Sequence, residues 1–123
     1  MKLRIKSNTL RLRLTQAEVA SIGKGNTVTE TVSFGARSPS FHYALIPDKQ
    51  SAYITALFAD HTIQIFLPHT LAIDWANTDQ VGMERDVPLD DGDKLYVLLE
   101  KDFQCLHQRP REDESDNFPN PEA

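Results

Sequence analysis

The sequence predicts an α+β domain built mostly from antiparallel strands, with a sheet that is strongly curled or barrel-like. The chain has 123 residues, a length typical of one domain. Eight short segments have the alternation or composition of strands, and two carry helix signals. Most neighbouring segments are joined by loops too short for a parallel crossover, and eight antiparallel strands can close into a barrel.

The first two predicted strands have the clearest pattern. Residues 2–6 alternate basic and apolar side chains, and residues 10–14 alternate leucine with arginine. This period of two indicates strands with one buried and one exposed face. Ser7 and Asn8 lie between them and predict a tight hairpin turn.

Helix signals follow in two places. Thr15 and Glu18 have the spacing of a capping box, in which each side chain bonds the other residue's backbone N–H, and this predicts a helix over residues 16–22. Pro68 stands at the tolerated first-turn position of a second helix. The remaining strands are predicted over residues 27–34, 41–46, 52–59, 62–67, 80–87 and 94–103. The residues show no internal repeat.

Composition limits the class of protein. Hydrophobic residues make up 40% and charged residues 25% of the chain, as in an ordinary globular domain. The single cysteine excludes an intramolecular disulfide and favours a reducing, cytoplasmic location. No apolar run approaches the ~20 residues of a membrane span, so no membrane association is expected. After Cys105 the composition changes, which predicts a domain over residues 1–107 and an acidic, proline-containing tail over residues 108–123.

The net charge of -5 is distributed unevenly. Residues 1–14 carry five basic side chains and no acidic one, whereas residues 74–103 carry nine acidic side chains and three basic ones. The negative total does not support a nucleic-acid partner. One hypothesis is that the acidic run at residues 112–116 folds back over the basic hairpin, with Phe118 anchoring the tail.

Four basic side chains form the candidate binding site. Side chains two apart on a strand are ~6.6 Å apart on one face, a spacing that suits successive phosphates or carboxylates. Two interpretations stay open: an anion site, or a solvated sheet face paired with neighbouring acids. The residues concerned are Arg4, Lys6, Arg11 and Arg13.

Residues near both ends of the chain resemble a family of small bacterial proteins of unassigned function, seen in Bacteroidota. Residues 4–15 read RIKSNTLRLRLT, residues 100–106 read EKDFQCL, and residues 118–121 read FPNP. The resemblance implies membership of that family and a cytoplasmic single-domain protein. It implies no activity.

A second resemblance is to the triphosphate-tunnel fold, an eight-stranded antiparallel barrel whose lumen holds triphosphate and metal. It implies an alternative function, metal-dependent phosphohydrolysis, in which Glu100 and Asp102 would hold the metal beside the basic residues. The entry motif of that fold, Glu-x-Glu-x-Lys, is replaced here by Lys2-x-Arg4-x-Lys6.

Cys105 and His107 share a face if their segment is extended, which would allow a thiolate–imidazolium pair. The alternative is that Cys105 is a small buried core residue. The four histidines are scattered without ligand spacing, so no metal site and no cofactor are predicted. The sequence therefore favours a small intracellular binding or regulatory domain over an enzyme, with a small anion or a protein as its partner.

Overall fold

Two separate four-stranded sheets and two helices make up the fold of the described residues. The computed structural model describes residues 1–106 and 111–122. The strands are β1 (Lys2–Lys6), β2 (Thr9–Leu14), β3 (Val28–Val32), β4 (Phe41–Asp48), β5 (Thr55–Ala59), β6 (Thr62–Pro68), β7 (Gly82–Pro88) and β8 (Lys94–Lys101). The helices are α1 (Gln16–Gly23) and α2 (His69–Asn77). The predicted α+β class, with eight strands and two helices, is confirmed.

The predicted curled or barrel-like sheet is wrong. Sheet A has the strand order β1-β2-β8-β7 and sheet B the order β3-β4-β6-β5, and neither sheet closes within the described residues. Four strand pairs are antiparallel hairpins, but the two central pairs, β2 with β8 and β4 with β6, are parallel. The prediction failed because the first hairpin pairs with the fourth and the second with the third, so the strands divide into two sheets with open edges.

The architecture repeats although the residues do not show it. The order strand, strand, helix, strand, strand occurs in residues 2–48 and again in residues 55–101. β5 begins 53 residues after β1, and α2 begins 53 residues after α1. Each half contributes one hairpin to sheet A and the other to sheet B. The two halves are therefore interleaved, and neither sheet is complete without both.

One hydrophobic core lies between the sheets and the helices. It includes Leu12 and Leu99 from sheet A and Ile65 from sheet B. The helices contribute pairs at equivalent positions of the two halves, 53 residues apart, such as Ile22 and Trp75, which are both fully buried. Trp75 Nε1 donates to the carbonyl of Val81 at 3.2 Å, so its polar atom is also satisfied.

Local signals place the helix and the turns correctly. The capping box is present at the start of α1, with Thr15 and Glu18 bonded in both directions. Lys6 pairs with Thr9, which leaves Ser7 and Asn8 as the predicted two-residue turn. At the end of α1, Gly25 adopts a φ of 91°, a left-handed conformation that glycine adopts without strain.

Candidate functional site: the outer face of sheet A

The basic side chains of the first hairpin lie on the outer face of sheet A. In β2 the leucines are buried, whereas Arg11 and Arg13 are half-buried on the opposite face. The antiparallel register places Arg4 opposite Arg11 and Lys2 opposite Arg13. Like charges directly opposite each other on a sheet are destabilising, so this face contains two unfavourable pairs that need compensation.

The charge changes sign across sheet A. The strand registers define three rows on the outer face, running from β1 to β7. The rows are Lys2, Arg13, Glu100 and Gly82; Arg4, Arg11, Leu98 and Glu84; and Lys6, Thr9, Tyr96 and Asp86. The β1 edge is therefore basic and the β7 edge acidic.

Glu100 compensates the two arginines of β2. Its carboxylate accepts a hydrogen bond from Nε of Arg11, and Nε of Arg13 lies 3.8 Å away. All three side chains are partly shielded from solvent. Glu100 is thus an internal anion that occupies one side of the basic surface.

Lys2 is compensated by carboxylates that lie beyond the end of β8. Its Nζ lies 3.0 Å from Oδ2 of Asp102 and 3.6 Å from Oε2 of Glu112. Although burial disfavours the charge, the ion pair with Asp102 raises the pKa of Lys2. Asp102 is buried just beyond the end of β8. Glu100 and Asp102 therefore pair with different basic side chains.

Arg4 and Lys6 differ from the other basic residues of the hairpin. Both are exposed, and neither forms a salt bridge with the described residues. They line a shallow cleft of about 250 Å³ together with Thr9, Leu10, Arg11, Tyr96 and Leu98. The cleft therefore presents cationic groups from two adjacent strands.

Tyr96 and Thr9 are residues of this cleft that the sequence prediction missed. The Tyr96 hydroxyl donates to the Glu84 carboxylate, and this hydrogen bond raises the pKa of Tyr96. The alternation along β8 places Tyr96 on the same face as Glu100, and that signal was present in the sequence. What the sequence did not show is the parallel pairing that brings this face of β8 beside Arg11.

The described part of the predicted tail, residues 111–122, contacts the fold at the end of β8 and the start of α1. Phe118 N–H donates to the carbonyl of Asp102 at 2.8 Å, and Gln16 N–H donates to the carbonyl of Asp116 at 2.9 Å. Among the described residues, the salt bridge between this tail and the basic hairpin joins Glu112 to Lys2. The tail therefore reaches the Lys2 end of the basic surface.

The predicted cysteine–histidine pair is only half described. Cys105 is half-buried, and its backbone N–H donates to Oε2 of Glu114 at 2.9 Å. His107 lies outside the described residues, so the pairing stays a prediction. In the parts of the chain that the structure covers, no group of three His, Cys, Asp or Glu side chains could hold a metal ion.

The model of a Family of unknown function (DUF7009) matches residues 1–122. The chain belongs to this family. The match confirms the predicted membership of a family of unknown function. No curated protein and no solved structure matches the DUF7009 chain. In residues 1–106 and 111–122, no helix has the length and apolar character needed to cross a membrane.

Proposed function

We propose that this protein is a cytoplasmic binding or regulatory domain that binds a phosphate-bearing small anion in the cleft of Arg4, Lys6 and Arg11. The proposal rests on the position of Arg4. It lies directly opposite Arg11, and it has no acidic partner among the described residues. A dianion between the two guanidinium groups would offset their mutual repulsion. Its oxygens would accept charge-assisted hydrogen bonds from both groups.

The size and composition of the cleft favour a small ligand. A volume of about 250 Å³ is below the range of ~300–1,000 Å³ typical of pockets for drug-sized ligands, so it suits a phosphoryl group rather than a whole nucleotide. The lining supplies Thr9 and Tyr96 as neutral polar neighbours of the cations. The acidic β7 edge would repel long polyanions, which limits the ligand further.

The arrangement of the described strands does not fit a tunnel-type phosphohydrolase. That function depends on basic and acidic side chains facing into the lumen of a closed barrel. Here Arg11 and Glu100 lie on the outer face of an open sheet, and Glu100 is bonded to Arg11. Asp102 points to a different partner, Lys2.

Calorimetric titration with inorganic phosphate and pyrophosphate at low ionic strength tests the proposal. We expect dissociation constants of roughly 1 mM or tighter for the wild type. A value of 1 mM corresponds to about 4 kcal/mol of binding free energy. The double variant Arg4→Gln with Lys6→Gln should bind at least tenfold more weakly. Arg37→Gln with Lys24→Gln is the matched control, because it removes the same charge from exposed positions elsewhere. Equal losses in both variants, or no binding by the wild type, would contradict the proposal.

Glu100→Gln provides an independent arm of this test. Removing the carboxylate frees Arg11 and Arg13 and removes a competing negative charge. We expect phosphate to bind about fivefold more tightly, the equivalent of about 1 kcal/mol for a partly shielded charge. Weaker binding by Glu100→Gln would show that Glu100 organises the cleft instead of competing with the ligand.

A further inference from the structure

Among the described strands, β5 lies at a sheet edge and carries no charged side chain. The two sheets leave four edge strands, β1, β3, β5 and β7. β1, β3 and β7 each contain charged side chains, which natural proteins use to prevent sheet edges from pairing. β5 reads TALFA and contains none. Leu57 and Phe58 in this strand are 54% and 65% exposed.

The internal repeat supplies a direct comparison. β1 and β5 occupy equivalent positions in the two halves, 53 residues apart. Arg4 therefore stands where β5 has Leu57, and Ile5 stands where β5 has Phe58. β1 carries a charged side chain at every second position, whereas β5 carries only apolar or small side chains. The β1 edge is protected against pairing, whereas the β5 edge is not.

The turn geometry fixes which backbone groups of β5 are available. Ala59 pairs with Thr62 across a two-residue turn, and in such hairpins the residues that flank the turn are hydrogen-bonded to each other. Hydrogen-bonded and free pairs alternate along an antiparallel ladder. The N–H and C=O groups of Ala56 and Phe58 consequently point away from β6, toward the open edge.

We propose that β5 pairs antiparallel with β5 of a second copy of this chain, about a two-fold axis at Leu57. This register lets Ala56 and Phe58 exchange backbone hydrogen bonds with Phe58 and Ala56 of the other copy. Leu57 then lies opposite its own equivalent, and the paired strands bring no charged side chains together because β5 contains none. The two copies of sheet B become one continuous eight-stranded sheet.

Side-chain sizes in this register are complementary. The large side chain of Phe58 lies opposite the small side chain of Ala56 on the same face of the extended sheet. Ala56 lines an apolar cleft of about 360 Å³ whose seven lining side chains are all apolar. Phe58 of the second copy is therefore positioned at the border of this cleft. This self-complementarity favours a second copy over an unrelated extended peptide as the occupant.

Sedimentation velocity over about 1 µM to 1 mM full-length protein tests the proposal, because a contact through one five-residue strand buries little surface and associates weakly. We expect the wild type to approach twice the chain mass of 13.9 kDa as concentration rises. Leu57→Arg, which copies the β1 edge, should weaken association at least tenfold. Phe34→Arg is the matched control, because Phe34 is similarly exposed but lies in the β3–β4 loop. Circular dichroism establishes that both variants fold.

Cross-linking locates the axis. In a Cys105→Ser background, Leu57→Cys should form an intermolecular disulfide on mild oxidation, whereas Phe34→Cys should not. A wild type that stays monomeric at all concentrations overturns the second copy as occupant and leaves the edge to a foreign strand. A dimer that persists unchanged in Leu57→Arg, or that cross-links equally through both positions, overturns the proposed interface.

Discussion

Lys101 is a buried lysine whose ammonium group is held by a carbonyl. It is 7% exposed at the end of β8, and Nζ donates to the carbonyl of Thr78 at 2.8 Å. The ammonium also lies 5.2 Å from the centre of the Phe118 ring. Burial lowers the pKa of Lys101 below its ordinary value of 10.5, and the attraction of Asp79 opposes this only in part.

This pKa shift makes stability depend on pH in a defined direction. Between the folded pKa of Lys101 and 10.5, the unfolded chain binds more protons than the folded one. The free energy of unfolding contributed by Lys101 therefore rises with pH through this window, and the penalty for burying the charge is fully present below it. We expect the free energy of unfolding of the wild type, relative to that of Lys101→Met, to increase from pH 7.5 to 10.5. Urea unfolding at several pH values measures it, and a difference independent of pH would contradict it.

At the scale of single residues, the sequence predicted which face of the sheet the basic side chains occupy, but only part of their ion pairing. The alternation in β1 and β2 correctly placed the basic side chains on one face. The excess of acids late in the chain suggested internal neutralisation, and Glu100 and Asp102 do neutralise part of the basic surface. Which acid meets which base depends on the register of distant strands, and a local pattern carries no information about that register.

At the scale of elements, the contact between α1 and α2 depends on one glycine. A Cβ added at Gly23 would lie 2.4 Å from the Cβ of Ala76, far inside van der Waals contact. Gly23 and Ala76 occupy equivalent positions in the two halves, so small residues meet where the helices approach each other. The helices pack closely because neither has a large side chain at this point.

Gly23→Ala should therefore destabilise the protein although alanine is the better helix former. We expect a loss of about 1–3 kcal/mol in the free energy of unfolding, as is typical of overpacking. Adding Ala76→Gly should recover part of the loss, because it removes the atom that clashes. Chemical denaturation of both single variants and the double variant measures the coupling. A stabilised Gly23→Ala variant, or strictly additive effects, would show that the helices can move apart freely.

Elements with local signals were predictable, and their assembly was not. The capping box of Thr15 and Glu18 predicted α1, and the two-residue turn at Ser7 and Asn8 predicted the β1–β2 hairpin. The partner of β2 is β8, and Thr9 pairs with Tyr96, 87 residues later. Short loops between neighbouring strands suggested antiparallel partners throughout. They gave no sign that the second strand of each hairpin would also pair in parallel across the repeat.

At the scale of the whole molecule, the tail is attached through an apolar contact as well as through charge. The rings of Phe118 and Phe103 have centroids 5.9 Å apart, and Gln104 N–H donates to the carbonyl of Phe118 at 2.8 Å. Phe118 is partly buried and packs against the hydrophobic core. Its contribution should therefore survive at salt concentrations that screen the ion pair between Lys2 and Glu112.

We expect Phe118→Ala to lower the free energy of unfolding by about 2 kcal/mol, since a half-buried aromatic ring loses its packing. The loss should be similar at low and high ionic strength. Phe34→Ala, which removes an exposed ring, is the control and should change stability by less than about 0.5 kcal/mol. Thermal or urea unfolding measures both. Equal effects of the two substitutions would argue that the tail is not attached through Phe118.

The interleaved halves also dictate the order in which the protein can form during synthesis. The β1–β2 hairpin emerges early, but β8, which covers its other side in sheet A, follows about 80 residues later. Until then β2 lacks its parallel neighbour and the buried side chains of Val97 and Leu99 that β8 adds to the core. Such long-range pairing slows folding and prolongs the exposure of apolar strands. The basic residues of the first hairpin would keep the emerging segment charged, and hence resistant to aggregation, until its partner strand arrives.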